Sequence, residues 1–212
     1  MGAHVSSVNA GPAVDVPWGS LKRSAIDKRP VEGPVEVVTL GLRGDEIADL
    51  KHHGGVDQAV YAYAREDLDA WEHEVGRTIR DGEFGENLTT VGLDVQNARI
   101  GDRWRIGTTL LEIADVRIPC SVFAGFVDQP RWVRRFTERG VPGAYLRVVE
   151  EGTLRAGDEV EVVESRDHDL TVGLAFRAQT TERHEIGRFA VEPRASAKIR
   201  SRVDARSNDT VR

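Results

Sequence analysis

Two similar stretches decide the fold, Ile100-Gly101-Asp102-Arg103-Trp104-Arg105-Ile106 and Ala156-Gly157-Asp158-Glu159-Val160-Glu161-Val162. In each, Gly-Asp is typical of a turn, and the residues that follow it alternate between apolar and charged. Because successive side chains of a strand point to opposite faces, this alternation indicates strands with one buried and one solvated face. Further strands are predicted from β-branched and aromatic content at 35–38, 59–63, 109–113 and 144–149. Many short strands between turns favour a closed or nearly closed β-architecture.

Helices are predicted to interrupt the sheet rather than to alternate with its strands. One begins at Glu66, and its apolar residues from Leu68 to Ile79 fall three to four positions apart. A second begins at Asp128-Gln129-Pro130 and ends at Gly140. Both apolar faces are interpreted as packing on the core. The predicted fold class is therefore mainly β with α, or α+β.

The composition divides the chain into four segments. An N-terminal segment, 1–30, is expected to pack on a β-rich domain that covers 31–164. Apolar residues at helical spacing then predict a small helical unit over 165–193. The last segment, 194–212, has six basic residues against two acidic ones. We expect it to be a mobile basic tail, which aids solubility more often than it binds nucleic acid.

Charge and cysteine content limit the classes of function. The 212 residues include 29 basic and 35 acidic ones, and this formal net charge of −6 argues against a nucleic-acid polymer as partner. Cys120 is the one cysteine, so no disulfide can form within the chain and a reducing cytoplasm is the expected location. No apolar run approaches the roughly 18 residues that a membrane span needs, and no export signal is expected.

Several common catalytic motifs are missing from the sequence. No two glycines are separated by a single residue, which excludes the dinucleotide-binding fingerprint, and there is no phosphate-binding P-loop. H-E-x-x-H, C-x-x-C and G-x-S-x-G are absent as well. Nicotinamide cofactors, nucleoside triphosphates, zinc-protease chemistry and α/β-hydrolase chemistry are therefore poor predictions.

Three polar loops hold the candidate site residues. The first, His52-His53-Gly54-Gly55-Val56-Asp57, is either a ligand-binding loop or a simple turn before a strand. The second, Phe84-Gly85-Glu86-Asn87-Leu88, could bind a polar ring or satisfy buried backbone groups. The third, Arg117-Ile118-Pro119-Cys120, follows a strand, and a guanidinium near the thiol would favour its reactive thiolate form. The alternative for the cysteine is a small buried apolar residue.

Together these loops resemble the bacterial YiiM-type MOSC proteins, whose domain is related to the C-terminal part of molybdenum-cofactor sulfurase. The resemblance runs in order from about Val31 to Phe176, and it includes Ile100-Gly101-Asp102 and Pro142-Gly143-Ala144-Tyr145-Leu146-Arg147. It implies a β-rich, barrel-like MOSC fold with a short C-terminal helical appendage. It also implies a molybdenum cofactor of the molybdopterin type, and the family is associated with pyridoxal phosphate binding too.

The resemblance implies roles for particular residues. Cys120 would be the molybdenum ligand, both Cys120 and Arg117 would be catalytic residues, and Arg117 would orient the thiol. Cofactor binding would fall to His53, Gly54, Gly55, Asp57, Glu86, Asn87, Arg23, Lys51 and Arg147. The chain departs from the family where Gln58 and Val122 replace common lysines and where Asp115 adds a carboxylate. We expect these departures to make the site less attractive to an anionic pterin.

Three hypotheses about function follow. The first is a cytoplasmic reductase of small N-hydroxylated bases that takes electrons from a redox protein and works as a monomer or homodimer. The second is a sulfur carrier that receives a persulfide on Cys120 and transfers it without a bound metal. The third is a cofactor-binding domain with no enzymatic activity. Neither a nucleic-acid polymer nor a membrane is expected as a partner.

Overall fold

The computed structural model describes residues 2–18, 22–49 and 53–210. Within these ranges thirteen strands and five α-helices combine in an α+β fold. The strands are β1 (His4–Ala10), β2 (Val14–Asp15), β3 (Arg23–Ser24), β4 (Arg29–Pro30), β5 (Val35–Val38), β6 (Gly41–Leu42), β7 (Val60–Ala64), β8 (Leu88–Val91), β9 (Arg103–Ile106), β10 (Thr109–Val116), β11 (Ala144–Glu150), β12 (Gly152–Leu154) and β13 (Val160–Glu164). The α-helices are α1 (Arg65–Val75), α2 (Ser121–Val127), α3 (Trp132–Arg139), α4 (Val172–Gln179) and α5 (Ala197–Thr210), and there are 3-10 helices at Val56–Gln58 and Arg183–Val191.

Eight strands form the main sheet in the order β13-β9-β10-β11-β7-β8-β1-β4. Neighbouring strands are antiparallel except for β7 and β8, which are parallel and are connected through α1. Strand β10 is buried along its whole length, including Glu112 and Asp115. Two smaller sheets have the orders β12-β5-β6 and β2-β3. The strand that leads to Arg117 and Cys120 therefore lies inside the molecule.

The two stretches that resemble each other in sequence also share one turn geometry. In each turn the Asp side chain accepts a hydrogen bond from the backbone N–H of the arginine three residues earlier, at 2.9 Å for Asp102 with Arg99 and for Asp158 with Arg155. The glycine before each Asp has a positive φ, as a type II turn requires. The strands that follow, β9 and β13, pair antiparallel. The predicted alternation holds in β9, whereas it fails in β13, where both faces are exposed after Val160 and Val162 with them.

The sheet curls until its two ends meet. The outer edge of β1 pairs with β4 near Asn9 and with the residues that precede β13 near Val5. Val5 N donates to the Asp158 carbonyl at 2.9 Å, and His4 forms a single antiparallel bridge with Glu159. The α+β class is thus confirmed, with a barrel-like curvature. The described strands do not form a closed barrel, because one bridge takes the place of a continuous ladder.

A cluster of aromatic side chains fixes α1, α2 and α3 against the sheet. Trp71, Phe84, Phe123, Trp132 and Phe136 are all buried, with ring centroids between 4.6 and 6.3 Å apart. This confirms that the apolar faces of the two predicted helices pack on the core. The shorter α2, which directly follows the cysteine, was not predicted from the sequence.

The predicted helix boundaries shift where the backbone turns left-handed. Helix α1 ends at Gly76, which has a φ of 74°, so Ile79 is buried beyond the helix rather than within it. Helix α3 begins at Trp132, because Asp128 and Arg131 also have positive φ values. Its predicted end at Gly140 is confirmed by the left-handed cap there.

The last segment corrects one expectation. In place of a mobile tail, Ala197–Thr210 forms α5, whose Ile199 and Val203 are buried four residues apart on one face. Two apolar residues at this spacing anchor a short helix even when its other positions are charged. Helix α4 begins at Thr171, whose Oγ1 accepts a hydrogen bond from Leu174 N at 3.1 Å. Over the residues that the structure describes, the helices are too short or too polar to cross a membrane.

Candidate functional site

Two adjoining hollows meet at Cys120. The inner hollow, about 110 Å³, lies between the 24–28 segment, the 45–49 segment and Arg117. The outer hollow, about 380 Å³, lies between the end of β10 and the helices α4 and α5. The residues shared by both hollows are Asp49, His53, Gln58, Cys120, Val122 and Tyr145. The cysteine is therefore accessible from two neighbouring spaces.

The local chain holds Cys120 in a defined position. Pro119 precedes it, and α2 begins immediately after it. The carbonyl of Cys120 accepts a hydrogen bond from Ala124 N at 3.0 Å, and Phe123 anchors α2 in the aromatic cluster. The side chain is half-buried and carries a free thiol. A thiol on a fixed backbone can meet a bound group reproducibly.

Arg117 supplies a buried positive charge beside the cysteine. Its Nη1 donates to the Phe84 carbonyl at 2.6 Å, and its guanidinium carbon lies 4.2 Å from the ring centroid of Phe123 and 5.2 Å from that of Tyr61. Its Nε has no hydrogen-bond partner among the described residues. Burial acts to lower the pKa of Arg117, but neighbouring groups, Tyr145 first and Cys120 among them, outweigh it and raise that pKa. The side chain is therefore a fixed, buried cation at the inner hollow.

A polar network closes the other wall of the inner hollow. Lys28 forms an ion pair with Asp45, and both side chains are nearly buried. Burial lowers the pKa of Lys28, while the charge and hydrogen bond of Asp45 oppose that shift. Asn87 donates to Asp45 Oδ2 at 2.9 Å and to the Asn9 carbonyl at 3.2 Å, and it accepts from Tyr61 N at 3.0 Å. Asn87 lines the hollow, but its amide holds these segments together.

The three loops converge only in part. His53, Gly54, Asn87, Arg117 and Cys120 all line the inner hollow, as expected for a common site. Gly54 has a φ of 77°, and a Cβ there would lie 2.7 Å from Ile47 Cδ1, so the loop needs glycine at this position. The remaining predicted binding residues, among those described, do not line either hollow: Gly55, Asp57, Glu86, Arg23 and Arg147. Lys51 lies outside the described residues.

Most of those remaining side chains have structural partners. Arg147 donates to Asp57 Oδ1 at 2.5 Å and to Glu112 Oε1 at 2.6 Å, and Asp57 Oδ2 accepts from the backbone N–H of Ala197 at 2.7 Å. This arrangement ties the start of α5 to the sheet. Arg23 is exposed and donates to the Ala13 carbonyl at 2.5 Å. Gly55 is exposed, where it precedes the 3-10 helix Val56–Gln58.

Glu86 is fully buried in the second loop. Its Oε1 accepts from Gly82 N at 2.5 Å and from Thr89 Oγ1 at 3.1 Å, and its Oε2 accepts from Phe84 N at 3.0 Å. Burial raises the pKa of Glu86 to about 7, against the opposite effect of these hydrogen bonds. The carboxyl group shapes the loop whose Phe84 carbonyl accepts from Arg117. Its role is therefore to support the site rather than to line it.

The substituted positions Gln58 and Asp115 form a second network at the outer hollow. Asp115 accepts from Gln58 Nε2 at 3.1 Å and, more weakly, from Gln179 Nε2 at 3.4 Å. Each glutamine oxygen in turn accepts from a cation of α5: Lys198 Nζ at 3.0 Å and Arg202 Nη1 at 2.7 Å. Burial raises the pKa of Asp115, and its hydrogen bonds, first that from Val116 N, oppose the shift.

Sequence reasoning missed Gln179, Lys198 and Arg202 as residues of the site. Lys198 and Arg202 are four positions apart, and this spacing places both on one face of a helix. This helical spacing was therefore visible in the sequence of the 194–212 segment, which was interpreted as a mobile tail. Helix α5 thus brings two cations to the side chains of Gln58 and Gln179.

The side chains at the two hollows fit a metal whose other ligands come from an organic cofactor. Among the described residues, no cluster of three or more His, Cys, Asp or Glu side chains could hold a metal ion. Cys120 provides one soft sulfur ligand, and the charge of Arg117 at the inner hollow is suited to an anionic group beside it. The residues present thus fit an organic, anionic metal cofactor.

These features define an α+β protein with a single accessible cysteine at the junction of two hollows and next to a buried guanidinium. The chain matches the MOSC domain over residues 49–161. It belongs to the MOSC domain family, and the resemblance in its motifs is confirmed.

Its relatives come from bacteria and a fungus. It is 33% identical to the uncharacterised protein YflK of Bacillus subtilis (strain 168), over 82% of this chain and 79% of that protein. It is 36% identical to protein YiiM of Escherichia coli (strain K12), over 75% of each chain. A Gibberella moniliformis protein named reductase is 33% identical over 74% of this chain, which spans only 28% of that protein. The crystal structure of YiiM from Geobacillus stearothermophilus has a TM-score of 0.81 and 29% identity, and it covers 96% of this chain and 98% of that one.

Proposed function

We propose that this MOSC protein is a molybdenum-dependent reductase that removes the oxygen from N-hydroxylated bases, with Cys120 as the metal ligand. The observation that carries the proposal is the pairing of an accessible thiol with the buried, partly unpartnered guanidinium of Arg117. The family and its reductase-named relative agree with an oxidoreductase. The N-hydroxylated substrate comes from the resemblance to YiiM-type proteins.

The residues of the inner hollow would hold part of a molybdopterin-type cofactor, because this hollow of about 110 Å³ is smaller than the range of about 300–1,000 Å³ that is usual for a whole small-molecule ligand. Cys120 would bind the metal through its sulfur, and the guanidinium of Arg117, which borders the inner hollow, would bind an anionic group of the pterin. His53 and Asn87 would line the ring. When bound, the cofactor supplies the two electrons that cleave the N–O bond.

The half-reaction consumes two electrons and two protons for each N–O bond. The hydroxylamine nitrogen keeps its hydrogen and gains one more, and the oxygen leaves as water. The chain has one cysteine and therefore no thiol pair to supply the electrons. A redox protein in the same cytoplasmic compartment would provide them, with the protein acting as a monomer or homodimer.

The central experiment compares wild type with Cys120→Ser and Cys120→Ala, all purified from a molybdate-fed host. We expect the wild type to carry molybdenum and to reduce an N-hydroxylated purine with a chemical electron donor. Both variants should lose at least about 100-fold in rate, while their unfolding midpoints stay close to that of wild type. Equal activity in Cys120→Ser would refute the assignment.

The sulfur-carrier hypothesis predicts a different result. Mass spectrometry would then find a persulfide on Cys120 that is lost on incubation with an acceptor, in protein that contains no molybdenum. That combination would replace the reductase proposal.

A further inference from the structure

Helix α5 places two cations at the outer hollow. Lys198 and Arg202 both line it, together with Cys120. The two side chains lie on one face of the helix, four residues apart. The cysteine and both cations therefore border one space of about 380 Å³, within the range of about 300–1,000 Å³ that is usual for small-molecule sites.

The positions of these cations are fixed by the fold. Ile199 and Val203 bury the adjoining face of α5, and Ser196 N donates to the Ala114 carbonyl at 2.8 Å. Gln58 and Gln179 then hold Lys198 and Arg202 through their side-chain oxygens. A ligand that binds here does not have to order two long side chains first, which lowers the entropic cost of binding.

The charges around the hollow favour an anion at the α5 side. Asp115 is buried, and its oxygens accept hydrogen bonds from Gln58, Gln179 and Val116 N. Asp49 is the other carboxylate of the lining, and it borders both hollows. Within the described ranges, the guanidinium of Arg202 hydrogen-bonds to Gln179 and to no other residue. It therefore keeps donors for a ligand, since a guanidinium has five N–H groups.

We propose that Lys198 and Arg202 bind a phosphate monoester, so that the outer hollow receives an N-hydroxylated nucleotide in preference to the free base. The proposal rests on the proposed function for the reacting base, whereas the phosphate site stands on its own geometry. An ammonium and a guanidinium on one helical face match the several acceptor oxygens of a phosphate. A pterin cofactor also carries a phosphate monoester, so the experiment must distinguish the two sources.

The first experiment measures binding without catalysis. AMP and adenosine serve as probes for wild type, Lys198→Ala, Arg202→Ala and the double variant, and the control is Arg206→Ala on the same helix but outside the hollow. Affinity is measured by calorimetry, and occupancy by protection of Cys120 from iodoacetamide. We expect AMP to bind wild type and Arg206→Ala at least about tenfold more tightly than adenosine, and the double variant to lose that preference.

The second experiment assigns the source of the phosphate. Molybdenum and pterin content are measured in wild type and the double variant, and so are the KM values for an N-hydroxylated nucleoside and its 5′-monophosphate. Unchanged cofactor content with a higher KM for the monophosphate alone supports the nucleotide. Loss of cofactor from the double variant, with no change in the KM ratio, refutes the nucleotide and assigns the phosphate to the pterin.

The two experiments distinguish a failure of the phosphate site from a failure of the proposed reductase function. If AMP binds no better than adenosine in wild type, the phosphate site is refuted, even if the free base is reduced. If AMP protects Cys120 and the double variant abolishes protection, but no N-hydroxylated compound is reduced, the phosphate site stands and the proposed function fails.

Discussion

The buried carboxyl group of Glu86 should make the protein less stable as the pH rises from about 4.5 to about 7. Its pKa is raised from 4.5 to about 7 in the folded protein, so the folded state binds this proton more tightly than the unfolded chain does. The stabilisation is complete below the unfolded pKa and is lost as the pH rises through the folded pKa. At 1.36 kcal/mol for each pH unit, the loss amounts to about 3 kcal/mol.

The variant Glu86→Gln isolates this contribution. A glutamine in either orientation leaves Gly82 N or Phe84 N without an acceptor, which costs about 1–3 kcal/mol at every pH. The free energy of unfolding in urea is measured at several values between about pH 5 and about pH 8. The stability of wild type minus that of the variant should fall by about 3 kcal/mol over this range.

Glu138→Gln is the matched control, because it removes an exposed carboxylate on α3. Its pH profile should run parallel to that of wild type. If the unfolding free energy of Glu86→Gln has the same pH dependence as that of wild type, then Glu86 does not bind its proton more tightly in the folded state. That result would refute the reasoning.

Three further predictions concern stability and the site. Gly82→Ala should cost about 2–4 kcal/mol in urea unfolding, because φ is +80° there and a Cβ would lie 2.6 Å from the Lys28 carbonyl; a change below about 1 kcal/mol would contradict this. Arg117→Met should change the free energy of unfolding by less than about 2 kcal/mol, since the lost hydrogen bond to Phe84 is offset by no longer burying a charge. Metal analysis of the same Arg117→Met variant should show about tenfold less bound molybdenum than wild type, or less still. An unchanged molybdenum content would argue against a role of Arg117 in cofactor binding. Ile199→Ala should cost about 2–4 kcal/mol and speed hydrogen exchange in α5, whereas unchanged exchange would mean that this contact does not dock the helix.

Much of the fold is predictable because local turn chemistry and helix caps leave clear sequence signals. The two Gly-Asp stretches form one turn twice, and Gly140 ends α3 as expected. Helix α2 was missed because its seven residues, Ser121–Val127, are too few to show helical periodicity. Helix α5 is long enough to show helical periodicity, but it was predicted as a mobile tail because most of its residues are polar or charged. The spacing of Ile199 and Val203, which are both buried, was therefore overlooked.

The candidate site was predictable at the level of loops and less so at the level of side chains. The resemblance to YiiM-type proteins grouped His53, Arg117 and Cys120 in one site, and all three residues line the inner hollow. The same reasoning could not separate residues that line a hollow from those that support it. Asp57 and Glu86 are polar and lie in the right loops, yet their hydrogen bonds go to Arg147 and to backbone N–H groups. Partners distant in sequence decide that difference.

The position of β1 in the sheet bears on how the protein is made. This strand leaves the ribosome before its partners do, because its hydrogen bonds go to β8, near residue 90, and to the residues just before β13, near 158. During synthesis β1 must therefore wait, with apolar residues such as Val5 and Val8 uncovered, until most of the chain has emerged. Non-local pairing of this kind slows folding and exposes strand edges. A nascent chain halted before residue 158 should thus be a target for chaperones that bind extended apolar segments.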